Sequence, residues 1–588
     1  MKRLLILALT LFVLLAVNAC KKDQEAADQA PVTVLDTSVQ IFDFVPADTP
    51  YLFGNLDMIP DETLDFFLTK MQPLLDQAQG AISKSLENAK AEPAAGETEE
   101  AAADEENSDY AAFEGHKLVY SWLQELDGKL NRDGIEELGF KIPAHQIVYG
   151  IGPFPVMRLE IGDGEAMRNM VRRVMERAEM SLQDQQFGDQ NYWQVAMDKI
   201  NLLVSVQDYE LAFALVPPGL NDAVLPNLLG SEQPADALDA VAALTQLNSE
   251  NAYLPYGSGY LDVARFVQIM TDDPTPAASA FRSLAELDFS TMEPECRAEF
   301  NGFAQILTRL KTGYTELDTS SMAMAFSANL ESQLASDLAG LTAANSVFSS
   351  DPGGAISMAF GINIPKVREW LLAKAEQHVA APYKCSSLAD LNQQWQTMQT
   401  QLNRPLPPFV GNLTGIRLRL DDLDMQGTMP SSGKGLVALT TSNPEMLIGM
   451  AQMFLPNLAS LELEPNGEPQ PLPLDGMPVP VDQAFIAMNK DSIGIAMGED
   501  MAGELGNFIE NTGGSDGAVL AFGYDFAFYF DKIKSMMPDL SNIEGVNQEE
   551  LAMHQELMTL YGDFLDRQFS VIRLTDKGIE AEQSISFQ

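Results

Sequence analysis

The feature that most restricts how this chain folds is an ordered internal recurrence. Pro155–Met167 reads as a strand running into a helix, and Gly435–Leu447 follows the same plan, with Leu159 over Leu439 and Glu165 over Glu445. Asp208–Leu215 matches Lys490–Met497, both short strands that lead towards a helix. Gly259–Asp262, followed by Phe266 and Ile269, parallels Gly523–Phe526, followed by Phe530 and Ile533. The hairpin at Tyr314–Met322 parallels Val571–Ile579, and Tyr51–Leu56 has a counterpart in Ala355–Ile362. One such match carries little, because short apolar strands look alike. A whole series kept in one order implies a duplicated unit.

At 588 residues the chain exceeds one ordinary core. The recurrence divides it into a first unit over 38–335 and a second over 353–588, with the turn Asp351-Pro352-Gly353-Gly354 at the seam. Strands mixed with helices and closed by hairpins define the expected class: α+β, two similar halves from an internal duplication, each a largely antiparallel sheet with packed helices. Ser38–Val45 is expected as a strand from its β-branched and aromatic residues, and Asp61 to about Leu86 as a helix opened by Pro60. Residues 87–109 are acidic and low in complexity, and are expected to be a disordered insertion. Helical periodicity returns over Tyr110–Leu130, and Pro465–Pro480 is a loop rich in Pro and Gly.

The start of the chain is an address. Met1-Lys2-Arg3 is basic, Leu4–Val17 is apolar, and Asn18-Ala19 leads into Cys20. That order reads as an export signal over 1–19, and the apolar run is shorter than the roughly 18 residues of a membrane span. An acidic tether over 20–37 follows. The ending Leu15-Ala16-Val17-Asn18-Ala19-Cys20 resembles the lipobox of bacterial lipoproteins. The resemblance implies that Cys20 becomes a lipidated first residue carrying acyl chains such as palmitate. Each methylene they bury contributes about 0.8 kcal/mol to anchoring. Lys21, not aspartate, follows the cysteine. In the enterobacterial lipoproteins this start resembles, that implies release to the outer membrane. The expected location is the inner leaflet of that membrane, facing the periplasm. Val45-Pro46-Ala47-Asp48-Thr49-Pro50 and the stretch Tyr149–Ile161 resemble uncharacterised exported proteins and lipoproteins of Gram-negative bacteria, a resemblance that brings no activity with it.

Charge narrows the partners. The chain holds 84 acidic against 36 basic residues, a net charge of -48. Nucleic acid needs Lys and Arg to neutralise its phosphates, so it is excluded as a partner. Anionic head groups are repelled beyond the acyl anchor, and the excess acid reads as a device for solubility. With Cys20 assigned to lipid, Cys296 and Cys385 remain as a pair. Export permits a disulfide between them, the alternative being two buried thiols. Placed one in each half, the pair is expected to staple the halves together, closing a loop long enough for roughly 4 kcal/mol.

Chemistry is harder to find. His116, His145, His378 and His554 have no ligand spacing, and no HExxH or CxxC occurs, so no metal or other cofactor is expected. Tyr256-Gly257-Ser258-Gly259-Tyr260 has tyrosine at both positions where a nucleophile elbow requires glycine. Gly427–Gly435 misses a phosphate loop in spacing and in its last residue. Lys129–Gly134 starts like a calcium loop, but Lys129 and Phe140 occupy ligand positions. Met446, Met450 and Met453 on one helix, and the alternation of Phe526, Phe528 and Phe530, read as core. The matches between the halves are mainly apolar, so no catalytic residue is assigned and the ligand-binding residues stay open. The expected function is a non-enzymatic, membrane-anchored lipoprotein that binds an envelope protein or structure. The alternative is a carrier holding a lipid or other apolar ligand between sheet and helices.

Overall fold

The structure is a computed structural model that describes residues 40–91 and 117–588, except 198, 272–273, 286–292, 345, 408, 427–428, 455–457, 460, 475–480, 482, 511–516, 533–557 and 560. Cys20, the signal and the tether lie outside the described residues, as do His116, His554 and 92–109 of the acidic insertion. The chain is α+β, and the 19 strands among the described residues pair antiparallel. It divides into two compact units, Met1–Thr291 with Lys311–Met322, and Met292–Leu310 with Ala323–Gln588.

In the first unit a single 3-10 turn, Gln40–Phe44, precedes β1 (Tyr51–Gly54) and α1 (Asp61–Ala91). Next come α2 (117–126), α3 (Arg132–Glu137), β2 (Gln146–Ile151), β3 (Phe154–Glu160) and α4 (Gly164–Arg177). After these run β4 (Gln183–Phe187), β5 (Gln190–Met197), β6 (Ile200–Val206), β7 (Glu210–Val216), α5 (Asn221–Leu228) and α6 (Ala240–Asn251). The unit closes with β8 (Ser258–Asp262), α7 (Val263–Thr271) and α8 (Pro276–Leu284). The ladder runs β8–β1–β2–β3–β7–β6–β5–β4.

The second unit begins with α9 (Pro294–Ile306) and the hairpin of β9 (Leu307–Leu317) and β10 (Ser321–Leu330), whose tip clusters with the first unit. It continues through α10 (Ser332–Ala339), β11 (Ile356–Gly361), α11 (Ile364–Ala380), α12 (Ala389–Leu402), β12 (Leu413–Gln426), β13 (Met429–Thr441) and α13 (Pro444–Phe454). Then come β14 (Gln470–Pro471), β15 (Ala484–Met488), β16 (Ser492–Met497), α14 (Ala502–Glu510), β17 (Ala518–Asp525), α15 (526–532), β18 (Leu565–Thr575) and β19 (Gly578–Phe587). Its ladder runs β14–β15–β16–β13–β12–β11–β17–β18–β19–β10–β9.

Local chemistry explains where the helices start. The Asp163 carboxylate accepts from the Glu165 and Ala166 N–H groups and opens α4, and Asn443 accepts from Met446 N–H at the head of α13. The carboxylates of Asp262 and Asp525 accept from the N–H groups of Arg265 and Phe528.

The apolar faces of the helices close the cores. Met167, Met170 and Val174 of α4 pack with Leu138, Leu159 and Ile161. Leu505, Phe508 and Ile509 of α14 pack over small residues, Ala438, Ala487, Ala496 and Ala521. That approach requires Gly494, where a Cβ would stand 2.3 Å from the Ile509 side chain and 2.8 Å from that of Leu505.

Several expectations are corrected. Within the expected strand Ser38–Val45, residues 40–44 form the 3-10 turn instead. Adjacent Ile41 and Phe42 are both buried together with Phe44, which a tight turn allows and a two-faced strand does not. Cys296 lies in the second unit with Cys385, because α9 packs there, so the pair does not join the two units. Phe526, Phe528 and Phe530 sit on helical α15, and only Phe526 is fully buried. On α13 the core side chains are Leu447 and Ile448, while Met453 is 81% exposed.

Candidate functional site

Among the described residues, each unit holds one arginine buried in its sheet, a residue the apolar recurrence does not announce. Arg158 of β3 is 0% exposed. Its Nε donates to Tyr149 Oη at 3.1 Å, and its other nitrogens bond Glu210 and the Asn227 carbonyl of α5. The guanidinium stacks over Phe44, 3.9 Å from the ring centre. Asn227 completes the network, accepting from Tyr149 Oη at 2.6 Å and donating to the Phe44 carbonyl at 2.8 Å. Burial pushes the Glu210 carboxyl above its ordinary range, against the pull of Arg158. Arg417 of β12 donates to Ser492 Oγ at 3.4 Å and to the Ile509 carbonyl of α14 at 3.2 Å, beside the Phe508 ring. Burial pulls it down to about 10. Arg158 pairs across the ladder with Ile147 and Ala212, and Arg417 with Ala438 and Ala359. The only sequence signal was a charged residue flanked by apolar neighbours, Met157 and Leu159 in one case and Ile416 and Leu418 in the other.

Cys296 and Cys385 are brought together, with their sulfurs 2.08 Å apart. The bridge ties α9 to the turn between α11 and α12. Glu299 of α9 reinforces it by accepting from the N–H groups of Lys384 and Cys385 at 2.8 and 3.0 Å. Tyr383 and Asn392 exchange hydrogen bonds across the same turn. His378 stacks between Tyr383 and Trp395, with ring centres 5.3 and 4.6 Å away. Burial, then the nearby Lys374, holds the imidazole below its ordinary range. This cluster is a structural clamp.

His145 is the second described histidine. Its Nδ1 lies 2.9 Å from Glu160 Oε2, which also accepts from His145 N–H and from Lys141 Nζ. Burial alone would raise the Glu160 carboxyl, but these hydrogen bonds bring it down from 4.5 to about 2. A depressed folded value stabilises the native state above the unfolded value, and that contribution disappears as pH falls from about 4.5 towards 2. Glu160→Gln should therefore flatten the acid limb of the stability curve across that window. The expected effect is about 1–2 kcal/mol, discounted for partial solvent contact. Urea unfolding at a series of pH values measures it, and an unchanged acid limb contradicts the assignment.

The remaining motifs are structural. Ser258 opens β8, and its Oγ is buried without a hydrogen-bond partner among the described residues, so no base adjoins it. Asn131, in the calcium-like loop, caps α3 through Gly134 N–H. Gly427 and Thr428 lie outside the described residues. No group of His, Cys, Asp or Glu able to hold a metal occurs among the described residues. No described helix is long and apolar enough to cross a membrane.

The second ladder carries an exposed apolar surface. The sheet side opposite the α14 core presents Met358 and Phe360 of β11, Ile416 of β12 and Phe522 of β17, each 37–45% exposed. They are contiguous: Phe360 pairs with Ile416, and Met358 with Phe522. Phe522 continues into Tyr524 and half-exposed Tyr529 at ring separations of 5.5 and 5.2 Å. Core residues Ala359 and Ala521 alternate with this set on the same strands. No protein family, curated protein or solved structure matches the chain.

Proposed function

We propose that this chain is a non-enzymatic lipoprotein of the Gram-negative envelope. Cys20 anchors it to the inner leaflet of the outer membrane. Its periplasm-facing body is built from two copies of one α+β unit, and it binds an envelope protein or structure. The observation that carries the binding reading is the apolar face of Met358, Phe360, Ile416 and Phe522, on a sheet whose other side is already a closed core. An exposed apolar patch of this kind marks an interaction surface.

The duplication is supported by hydrogen-bond detail. Ile161 N–H donates to the Tyr209 carbonyl, and Thr441 N–H to that of Asp491. Gln207 and Glu210 close a turn as Asn489 and Ser492 do. Asp262 N–H bonds the Pro50 carbonyl, and Asp525 N–H that of Ala355. On this register Arg158 corresponds to Ala438 and Ile147 to Arg417. The buried guanidinium has crossed to the facing position of the same pair and kept its helix carbonyl, Asn227 in one unit and Ile509 in the other. Glu210 and Ser492 likewise correspond as its side-chain partners.

Two measurements test the reading. Cys20→Ser should abolish palmitate labelling and move the protein from the membrane to the soluble fraction; unchanged labelling and fractionation would refute the anchor. Native mass spectrometry of the released body should give the chain mass, or a whole multiple of it, without a lipid-sized adduct. A stoichiometric lipid adduct would replace the binding reading with that of an apolar carrier.

A further inference from the structure

The outer edge of the first ladder is a different kind of surface. β4 pairs with β5 alone among the described strands, from Gln183 against Gln194 to Phe187 against Gln190. Its first four residues, Gln183, Asp184, Gln185 and Gln186, are exposed. The two-residue loop Gly188-Asp189, with Gly188 at φ 58, fixes Phe187 and Gln190 as a hydrogen-bonded pair. Alternation then points the backbone groups of Gln185 and Gln183 towards β5, and those of Asp184 and Gln186 outward.

Natural edges are blunted by proline, lysine, bulges or short length. The second ladder obeys this rule at its β14 end, where the strand is two residues long and contains Pro471. β4 has no proline, no lysine and no register shift. Its one charge, Asp184, accepts from Trp193 Nε1 at 2.8 Å and lies 3.4 Å from Arg172 Nη2. In a chain of net charge -48, this strip is locally close to neutral.

We propose that β4 is a self-pairing edge through which two copies of this chain join. The strands meet antiparallel about a two-fold axis at Gln185. Asp184 of each copy exchanges both backbone hydrogen bonds with Gln186 of the other. The Gln185 side chains face each other at the axis, where amides donate and accept reciprocally. The pairing is isologous and therefore closes at a dimer. Its opponent is the repulsion between two acidic bodies, which salt screens with a Debye length of about 8 Å at physiological ionic strength.

Sedimentation velocity of the full chain over a concentration series tests this. The expected result is a shift from one to two copies with rising concentration, at a midpoint that falls as salt is added. Gln186→Pro removes an N–H that β5 does not use, so the fold is kept while the midpoint rises at least tenfold. Gln185→Lys, which sets like charges opposite at the axis, should do the same, with an unchanged far-UV spectrum as the check on folding. A single-copy mass at every concentration overturns the proposal. So does a dimer unaffected by both substitutions, which would place the contact elsewhere.

Discussion

Replacing Arg158 with methionine is expected to lower the unfolding free energy by about 3–5 kcal/mol, the cost of stranding one member of a buried ion pair. The guanidinium is wholly enclosed and is the hub through which Tyr149, Glu210 and the end of α5 are joined. Without it, the Glu210 carboxyl, whose side chain is only 20% exposed, keeps its desolvation and loses its partner. The Asn227 carbonyl loses a donor as well. The loss should therefore belong mostly to what is left behind. Arg158→Met with Glu210→Leu should recover more than half of it, because two apolar side chains can fill the site without an orphaned charge. Denaturant unfolding of the two variants decides the matter. A double variant as unstable as Arg158→Met alone would mean that packing against Phe44, and not the charge, is what the site supplies.

The second large effect belongs to the bridge. Cys385→Ser should cost about 2–5 kcal/mol, since the bridged residues are 89 apart and the closed loop is long. Both cysteines are buried, so a thiol reductant should act only as the protein unfolds. Because both belong to the second unit, the loss should fall on that unit's transition and leave the first unit's in place. Unfolding followed by probes in each unit, with and without reductant, measures this. Equal shifts in both transitions would contradict it and restore the idea of a staple between the units.

The contrast between these residues shows what the sequence made legible. The strands and their order were readable because apolar alternation, Gly-bearing turns and capping acids are local signals. Hence β1, β3, β7, β11, β13, β16 and the β18–β19 hairpin fall where the pattern places them. The pairing of Cys296 with Cys385 was readable by elimination. The unit that holds Cys296 was not, because α9 joins the second unit by tertiary packing and no local residue records that choice. Arg158 and Arg417 were hidden for a related reason. A strand with one charged residue reads as half-exposed until its partners, Glu210 with Asn227 and Ser492 with Ile509, converge from distant elements. Met453 misled in the opposite direction, sharing the helical spacing of Met446 and Met450 while lying on the solvent side.

The claim on which the rest depends is that the half-exposed sheet face around Phe360 meets a partner in the envelope. In-cell photocrosslinking from position 360 tests it most directly, with exposed Gln401 on α12 as the control. The expected result is a discrete protein adduct from position 360 that position 401 does not give. A lipid-sized adduct, or no adduct beyond the control, would contradict it.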